Sequence, residues 1–204
     1  RWKEMELEQS RTAIILSQVQ PHFLYNVLLG IKQLCDSNPK KASEALEHLA
    51  FYMRRNLNSL TRKQLIPFDE EMCHVNDYLY LEKMRFEEKL TVVLDLEYTD
   101  FFLPAMTVQP IAENAVRWGI TKKKGGGTLT IKSQLTGEEV MISVMDDGAG
   151  FDPNEIRNDG KTHVGIENVR QRLMLQCGGT LSISSKKGSG TTVTIRLPQK
   201  GRNK

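Results

Sequence analysis

The sequence predicts an α+β protein in which an N-terminal helical hairpin is followed by an α/β sandwich. Apolar residues recur every three or four positions over residues 3–34 and 39–61, which is the period of amphipathic helices. After residue 90, apolar and polar residues alternate instead, which is the period of β-strands. This change of period indicates two structural units that meet close to residue 64.

The first unit, residues 1–64, is predicted to be a pair of antiparallel helices that dimerises. Asp36 to Asn38 supply the turn between them, with Asn38 suited to cap the second helix and Pro39 to its first position. One hairpin leaves two apolar stripes uncovered, and self-association into a dimeric four-helix bundle would cover both. The stripes comprise Leu16, Val19, Phe23, Val27, Ile31 and Leu34 in the first helix, and Ala42, Ala45, Leu46, Leu49, Met53, Leu57 and Leu60 in the second.

The second unit, residues 65–198, is predicted to begin with a helix and to continue as a sandwich. Pro67 ends the hairpin, and acidic residues 69–71 favour the start of a helix that runs to about Glu88. Turn residues at Gly137 and from Gly188 to Gly190 join strands into two β-hairpins. Residues 199–204 are predicted to be a disordered tail. The other patterns are strands near 91–97, 129–135, 140–144, 181–183 and 193–197, and helices near 107–119 and 165–176.

The charge balance disfavours a nucleic-acid partner. The 204 residues carry a net charge of +3, and residues 1–63 hold 10 Lys and Arg against 6 Asp and Glu. Neither unit has the strong basic excess of a nucleic-acid binder. The mild excess on the hairpin suits an acidic protein surface or a nearby membrane instead.

The spacing of the cysteines and the length of the apolar runs indicate the cellular compartment of the protein. Three widely spaced cysteines, at Cys35, Cys73 and Cys177, suggest neither a disulfide framework nor a zinc site, so a reducing cytosol fits best. The sequence has no run of about 18 apolar residues that would form a transmembrane helix. Because the sequence begins with Arg1 rather than Met, we expect a fragment of a longer protein, with any membrane anchor upstream.

A histidine follows a proline inside the first predicted helix, in the segment QPHFLYN. Pro21 removes a backbone hydrogen bond at a cost of about 3 kcal/mol, so we expect a local kink there. On a helical wheel His22 lies beside Gln18 and Asn26, at the margin of the apolar stripe, where an imidazole is half exposed. The alternative for a lone histidine is an ordinary surface residue.

A second motif, QPIAENAVRWG, lies in the predicted helix at 107–119. Asn114, Arg117 and Trp118 are expected to share one helix face through their spacing of three and four residues. Asparagine is suited to Mg²⁺ or its water, arginine to phosphate oxygens and tryptophan to stacking on a base, so the trio suits a nucleotide. The alternative is an amphipathic helix with a polar outer face.

A third motif, DDGAGF, places a carboxylate at the end of a strand. Asp146 is suited to accept a hydrogen bond from an exocyclic amine. Gly148 and Gly150 allow the backbone to approach a flat ligand closely. A tight turn would equally explain an Asp-Gly sequence.

Two further glycine segments follow. Gly165 opens the last predicted helix, and a helix N-terminus preceded by glycine is an anion site. Gly188, Gly190 and Thr191 belong to a Gly-Ser-Gly-Thr segment that is also typical of a hairpin turn.

In this order, the motifs resemble those of sensor histidine kinases of the LytS-like family, whose catalytic part has the Bergerat (GHKL) ATP-binding fold. The resemblance covers residues 16–198. QPHFLYN is similar to the family's phosphoacceptor box and AENAVRWG to its N box. DDGAGF, VGIENVRQRL and GSGTTVTIRLP are similar to its three glycine boxes.

The resemblance implies a role for each residue. His22 would be the phosphorylated histidine, Asn114 the Mg²⁺ ligand, Arg117 a phosphate contact and Asp146 the acceptor for the adenine amino group. Trp118, where the family usually has histidine, would stack on adenine. The remaining ATP-binding residues would be Gly148, Gly150, Gly165, Gly188, Gly190 and Thr191.

The departures from the family pattern concern the second glycine box and the residues near the reacting groups. His163 stands where a further glycine is common, and 152–164 would form a short ATP lid. ATP-hydrolysing relatives carry an acid one turn before the N-box asparagine, where this sequence has Pro110, and Glu113 lies about 100° away around the helix. Phe23 replaces the acid that often follows the phosphoacceptor, so no base for His22 is identified.

The resemblance therefore implies a two-component sensor kinase. Autophosphorylation of His22 with ATP and Mg²⁺, in a homodimer, would precede transfer to an aspartate on a response-regulator receiver domain. The principal alternative is a dimeric nucleotide-binding scaffold without kinase activity. A third interpretation is an ATPase or serine kinase of the same fold.

Overall fold

A computed structural model describes residues 21–59, 64–152 and 164–199. Two helices, α1 (Pro21–Ser37) and α2 (Pro39–Ser59), form the predicted hairpin. Asn38 caps α2 as predicted, because its Oδ1 accepts a hydrogen bond of 3.0 Å from the Lys41 backbone N–H. The first part of the predicted helix 3–34, over residues 3–20, lies outside the described residues, so the kink at Pro21 stays a prediction.

A third helix, α3 (Phe68–Phe86), packs along the hairpin. Phe23 of α1 lies 5.4 Å from the Tyr78 ring of α3, measured between ring centroids. Asp77 of α3 contacts His48 Nδ1 at 2.8 Å and Arg55 Nη1 at 3.2 Å, which ties α3 to α2. The hairpin and the next helix therefore form one packed layer.

α3 covers part of the apolar surface that was expected to lie in a dimer interface. Much of both apolar stripes, including Phe23, Val27, Ala45 and Leu49, is buried within a single chain. The expectation that one hairpin leaves its stripes uncovered is therefore wrong for these residues, because α3 packs on them within the same chain. Other apolar side chains on the hairpin stay exposed: Tyr25, Leu28, Leu29 and Phe51, together with Leu46 and Leu57 of the predicted second stripe.

The strands form a five-stranded mixed sheet and a small two-stranded one. The strands of the large sheet are β2 (Leu90–Leu96), β4 (Gly127–Thr136), β5 (Glu139–Asp146), β6 (Thr180–Lys186) and β7 (Gly190–Pro198). Their order is β2-β4-β5-β7-β6, with β2 parallel to β4 and the other pairs antiparallel. The predicted β4–β5 and β6–β7 hairpins are confirmed. The small sheet, β1 (Leu65–Pro67) with β3 (Phe102–Pro104), was not predicted.

Helices cover one face of the large sheet. They are α3, α4 (Gln109–Asn114), which continues into a π-helical turn over Ala115–Gly119, and α5 (Val164–Cys177). Alternate residues of the central strands are buried beneath them, among them Leu129, Ile131, Ile142, Val144 and Ile195. The α+β class with a helical hairpin and an α/β sandwich is thus confirmed. Across residues 21–59, 64–152 and 164–199, no helix is both long and apolar enough to cross a membrane.

Candidate active site

Asp146 is buried at the end of β5, in the middle of the large sheet. Its Oδ1 accepts a hydrogen bond of 2.9 Å from the Gly148 backbone N–H. Burial raises the pKa of the Asp146 carboxyl, whereas the backbone N–H groups of Gly148 and Thr191 lower it. The turn residues of DDGAGF therefore hold this carboxylate in one orientation.

Glycines bring three stretches of backbone together around Asp146. A Cβ on Gly190, whose φ is +91°, would lie 1.9 Å from the Asp146 carbonyl oxygen. A Cβ on Gly119 would lie 2.3 Å from Asp146 Oδ1, and one on Gly148 would lie 2.2 Å from the Gly119 carbonyl carbon. These glycines therefore approach other parts of the chain closely, which is a structural requirement that their motifs alone do not reveal.

A cavity of about 240 Å³ opens beside Asp146. Asn114 and Trp118 line it, as predicted for a nucleotide site, and so do Gly150 and Thr191. The rest of the wall is mainly apolar, and none of its residues was among the predicted site residues: Ile111, Ala115, Val144, Phe151, Ile166, Ile183 and Val193. An apolar slot with one buried carboxylate suits a flat heterocycle that carries an amino group.

The remaining predicted glycines do not line this cavity. Gly190 packs against the Asp146 backbone, and Gly148 packs against the Gly119 backbone. Gly188, with a φ of +79°, lies in the β6–β7 turn, and its N–H donates a hydrogen bond of 2.6 Å to the Ala149 carbonyl. Gly165 is exposed near the start of α5, and a Cβ there would meet nothing within 4 Å. Contacts of these four glycines with ATP stay a prediction.

Arg117 does not share the Asn114 face, contrary to the prediction. The helix changes to a π turn at Ala115. A π turn holds more residues than an α turn, so the third residue after Asn114 is rotated away while the fourth, Trp118, stays on its side. The Arg117 guanidinium instead lies over the Trp118 ring, 4.7 Å from its centroid, and lines a second cavity.

The second cavity, of about 320 Å³, contains His22. Arg117 and Trp118 form part of its wall, so Trp118 lines both cavities. His22 is exposed, and Asn26 Nδ2 lies 3.2 Å from its Nδ1, as the helical wheel predicts. The structure therefore brings the QPHFLYN histidine beside the AENAVRWG helix within one chain.

Glu113 points away from the nucleotide cavity, towards the hairpin. Its Oε1 accepts hydrogen bonds from Gln109 Nε2 at 2.9 Å and from the Tyr52 hydroxyl at 3.3 Å. Burial raises the pKa of Glu113 to about 6. This orientation agrees with the expectation that Glu113 is not placed to activate water at a bound phosphate.

Glu71 is a structural determinant of the site that the sequence did not reveal. Its carboxylate is fully buried and accepts backbone N–H bonds from Met106 at 2.9 Å, Val108 at 2.8 Å and Gln109 at 3.1 Å. It therefore fixes the segment that leads into α4, the helix that carries Asn114. An acid in the first turn of a helix is already explained by the helix dipole, so no local pattern indicates a second role for Glu71.

The described residues include an amide oxygen suited to Mg²⁺, that of Asn114. They contain no group of three or more His, Cys, Asp or Glu residues that would hold a metal ion by themselves. Asn114 lines the cavity, and within the described part of the chain its side-chain amide has no hydrogen-bond partner. A free amide oxygen fits a Mg²⁺ ion that takes its other ligands from phosphates and water.

Comparisons with known proteins place both parts of the chain in known families. Residues 10–90 match the family described as Histidine kinase, and residues 103–201 match the Histidine kinase-, DNA gyrase B-, and HSP90-like ATPase family. YwpD of Bacillus subtilis (strain 168) is 40% identical over 192 residues, which cover 91% of this chain and 69% of YwpD. Sensor protein LytS of the same organism is 31% identical over 204 residues, covering 94% of this chain and 34% of LytS.

A solved structure shows the same fold at lower identity. The Acinetobacter baumannii histidine kinase AdeS aligns with a TM-score of 0.53 and 20% identity, over 97% of this chain and 95% of that one. The family matches show a histidine kinase domain followed by an ATPase domain, and the structural match shows the fold. The chain belongs to the sensor histidine kinase family that includes LytS, and it spans about a third of the length of LytS.

Proposed function

We propose that this chain is the catalytic part of a two-component sensor, which transfers the γ-phosphoryl group of ATP to its own His22 and then to an aspartate of a response regulator. The observation that carries the proposal is the pair of adjoining cavities. One holds Asn114 and Asp146, the other holds His22 and Arg117, and Trp118 lines both. A nucleotide seated beside Asp146 would thus have its phosphates directed towards an exposed imidazole.

Each residue has a defined part in binding ATP. Asp146 accepts a hydrogen bond from the adenine amino group, since its carboxylate is buried and already oriented. Trp118 stacks on the base, and Asn114 supplies the protein oxygen for Mg²⁺, which neutralises phosphate charge when bound. Arg117 reaches the phosphates from the His22 side of Trp118. Gly148, Gly150, Gly165, Gly188, Gly190 and Thr191 complete the proposed ATP-binding set.

The transfer requires little covalent assistance from the protein. The unprotonated ring nitrogen of His22 forms the N–P bond. The bond from phosphorus to the β,γ-bridging oxygen breaks, and its electron pair leaves with ADP. The proton on the other ring nitrogen is then lost to water. Positioning and charge neutralisation account for most of the catalysis of such a step.

The domain and partner assignments follow from the same proposal. Residues 1–64 form the dimerisation and phosphotransfer hairpin, 65–198 the ATP-binding domain and 199–204 the tail. The exposed apolar side chains on α1 and α2 support a homodimer, because they offer a surface for a second hairpin. The ATP lid at 152–164 with His163, and residues 200–204 of the tail, lie outside the described residues apart from Asp152 and Val164. A cytoplasmic position in a membrane-anchored sensor stays a prediction.

The first test is phosphorylation of a His22→Ala variant. Incubation with γ-labelled ATP and Mg²⁺ is expected to give acid-labile, base-stable label on the wild type and none on the variant, because the nitrogen nucleophile is gone. His48→Gln is the control, since His48 contacts Asp77 and lies outside both cavities. Absence of label on a wild type that still binds nucleotide would instead indicate the scaffold without kinase activity, and acid-stable label would indicate a serine kinase.

A second prediction concerns the adenine contact. Asp146→Asn is expected to weaken ATP binding roughly 10- to 100-fold, because a hydrogen bond to a charged group contributes about 1.5–3 kcal/mol. The new NH₂ group would also compete with the Gly148 and Thr191 N–H donors that face the carboxylate. Titration with a fluorescent ATP analogue measures the effect. Asp147→Asn is the control, because Asp147 is exposed and does not line the cavity; equal losses in both variants would contradict the assigned contact.

A further inference from the structure

The cavity around His22 is strongly cationic. Arg85, Arg117 and Lys122 line it against a single carboxylate, Glu82. These three cations and Glu82 together carry a net charge of about +2, and a phosphoryl group carries about −1.5 to −2 near neutral pH. Of the three cations, only Arg117 belongs to a motif of the family resemblance.

Each of these cations is held against an aromatic ring. Arg117 and Lys122 lie 4.7 Å and 5.6 Å from the Trp118 ring centroid, measured from Cζ and Nζ. The Arg85 guanidinium lies 4.3 Å from the Phe86 ring centroid. Cations at these distances are attracted to the ring face, which limits the positions that the long side chains adopt. The positive charge is thus held at two aromatic rings that both line the cavity, Phe86 and Trp118.

Arg85 is further fixed by an ion pair with Glu82, one helical turn earlier on α3. Its Nη1 lies 3.2 Å from Glu82 Oε2, and Glu82 Oε1 also accepts a hydrogen bond of 3.3 Å from the Tyr78 hydroxyl. Glu82 is buried, whereas 29% of the Arg85 side chain is exposed. Within the described residues only Nη1 of Arg85 has a hydrogen-bond partner, so its other N–H donors are available to a ligand.

We infer that Arg85 is a phosphoryl-binding residue at His22, where it contacts the γ-phosphoryl group during transfer and the phosphohistidine afterwards. This inference rests on the proposed function. An arginine held at one edge by a carboxylate presents its remaining donors in a fixed fork, which is the geometry that phosphate oxygens accept. α3 therefore contributes to the reaction as well as to the packing of the hairpin.

The competing interpretation is purely structural. In that case Arg85 only neutralises the buried Glu82 and packs on Phe86, so its removal would lower stability without changing the rate of transfer in the folded protein. The two interpretations differ in the rate at saturating ATP, measured on variants whose folding and nucleotide affinity are checked separately.

The experiment compares Arg85→Gln with wild type in the full chain. The initial rate of His22 labelling at saturating Mg·ATP is expected to fall roughly 30-fold or more, because an arginine at the transferring phosphate contributes a large factor to such reactions. Affinity for a fluorescent ATP analogue is expected to stay unchanged, since Arg85 does not line the nucleotide cavity. Lys132→Gln is the control, because it removes a cation that is also ion-paired, to Asp95 at 2.7 Å, on the open face of the sheet.

The outcomes separate the inference from the proposed function. Labelling of Arg85→Gln at the wild-type rate, with His22→Ala unlabelled, would overturn the role of Arg85 alone. Unaltered labelling of His22→Ala would overturn the proposed function itself. If Arg85→Gln does not fold, Arg85→Lys replaces it, because lysine keeps the charge opposite Glu82 but lacks the fork. We expect Arg85→Lys to label more slowly than wild type. A rate equal to that of wild type would contradict the inference.

Discussion

Glu71→Ala is expected to lower the free energy of unfolding by about 3–5 kcal/mol, since it leaves three backbone N–H groups without their acceptor. The carboxylate is fully buried and receives the N–H groups of Met106, Val108 and Gln109. Arg172 of α5 donates a hydrogen bond to the Met106 carbonyl, so the same short segment also joins α5 to the site. Urea unfolding followed by circular dichroism measures the change.

The effect is expected to extend to nucleotide binding. Glu71 fixes the residues that precede α4, and α4 carries Asn114 into the cavity. ATP affinity should therefore fall even under conditions where Glu71→Ala remains folded. Asp69→Ala is the matched control, because Asp69 lies in the same first helical turn but is exposed, and its interaction with the helix dipole is worth only about 0.3–1 kcal/mol. Similar losses in the two variants would show that the buried N–H groups find other partners.

Caps and turns were predicted correctly, because each depends on the types of a few neighbouring residues. The Asn38 cap, the turn at Gly137 and the Gly188–Gly190 turn all appear where the sequence places them. The small β1–β3 sheet was missed because each strand has three residues, too few for an alternating pattern. These short strands are defined by pairing with residues about 37 positions away, which local patterns do not encode.

The sequence predicted which residues belong to the site better than it predicted how they are arranged. Asn114, Trp118 and Asp146 meet at one cavity, as their motifs imply. Arg117 lies on the other side of Trp118, because α-helical spacing was assumed where the chain forms a π turn. Periodicity does not distinguish these two turns over five residues.

The most important features that the sequence analysis missed depend on burial between segments far apart in the chain. Glu71 and the cover that α3 gives to the hairpin both depend on contacts between segments far apart in sequence. An acid at the start of a helix and an apolar stripe each had a sufficient local explanation, so the sequence offered no reason to look for a distant partner. The same applies to Arg85, whose place in the His22 cavity follows only from the packing of α3.

Phosphoryl transfer is expected to occur within one chain of the proposed homodimer. His22 and Arg117 line the same cavity in a single chain, and Trp118 connects that cavity to the nucleotide site of the same chain. A dimer that combines one His22→Ala chain with one Asn114→Ala chain should therefore carry no label, since neither chain has both an acceptor and an intact ATP site. The mixed dimer is obtained by co-expression with two different tags and sequential affinity purification.

A reciprocal dimer tests the same prediction from the other side. It pairs a wild-type chain with a chain that carries both substitutions, so that acceptor and ATP site are intact in one chain only. Transfer within a chain predicts label on the wild-type chain at a normal rate per His22, whereas transfer between chains predicts none. The two dimers thus give opposite results under each mechanism, and a failure of subunit association cannot imitate either pattern because the tags report the composition of each sample. Label on the Asn114→Ala chain of the first dimer, with none on the second, would show that the His22 cavity of one chain receives its phosphoryl group from the ATP site of its partner.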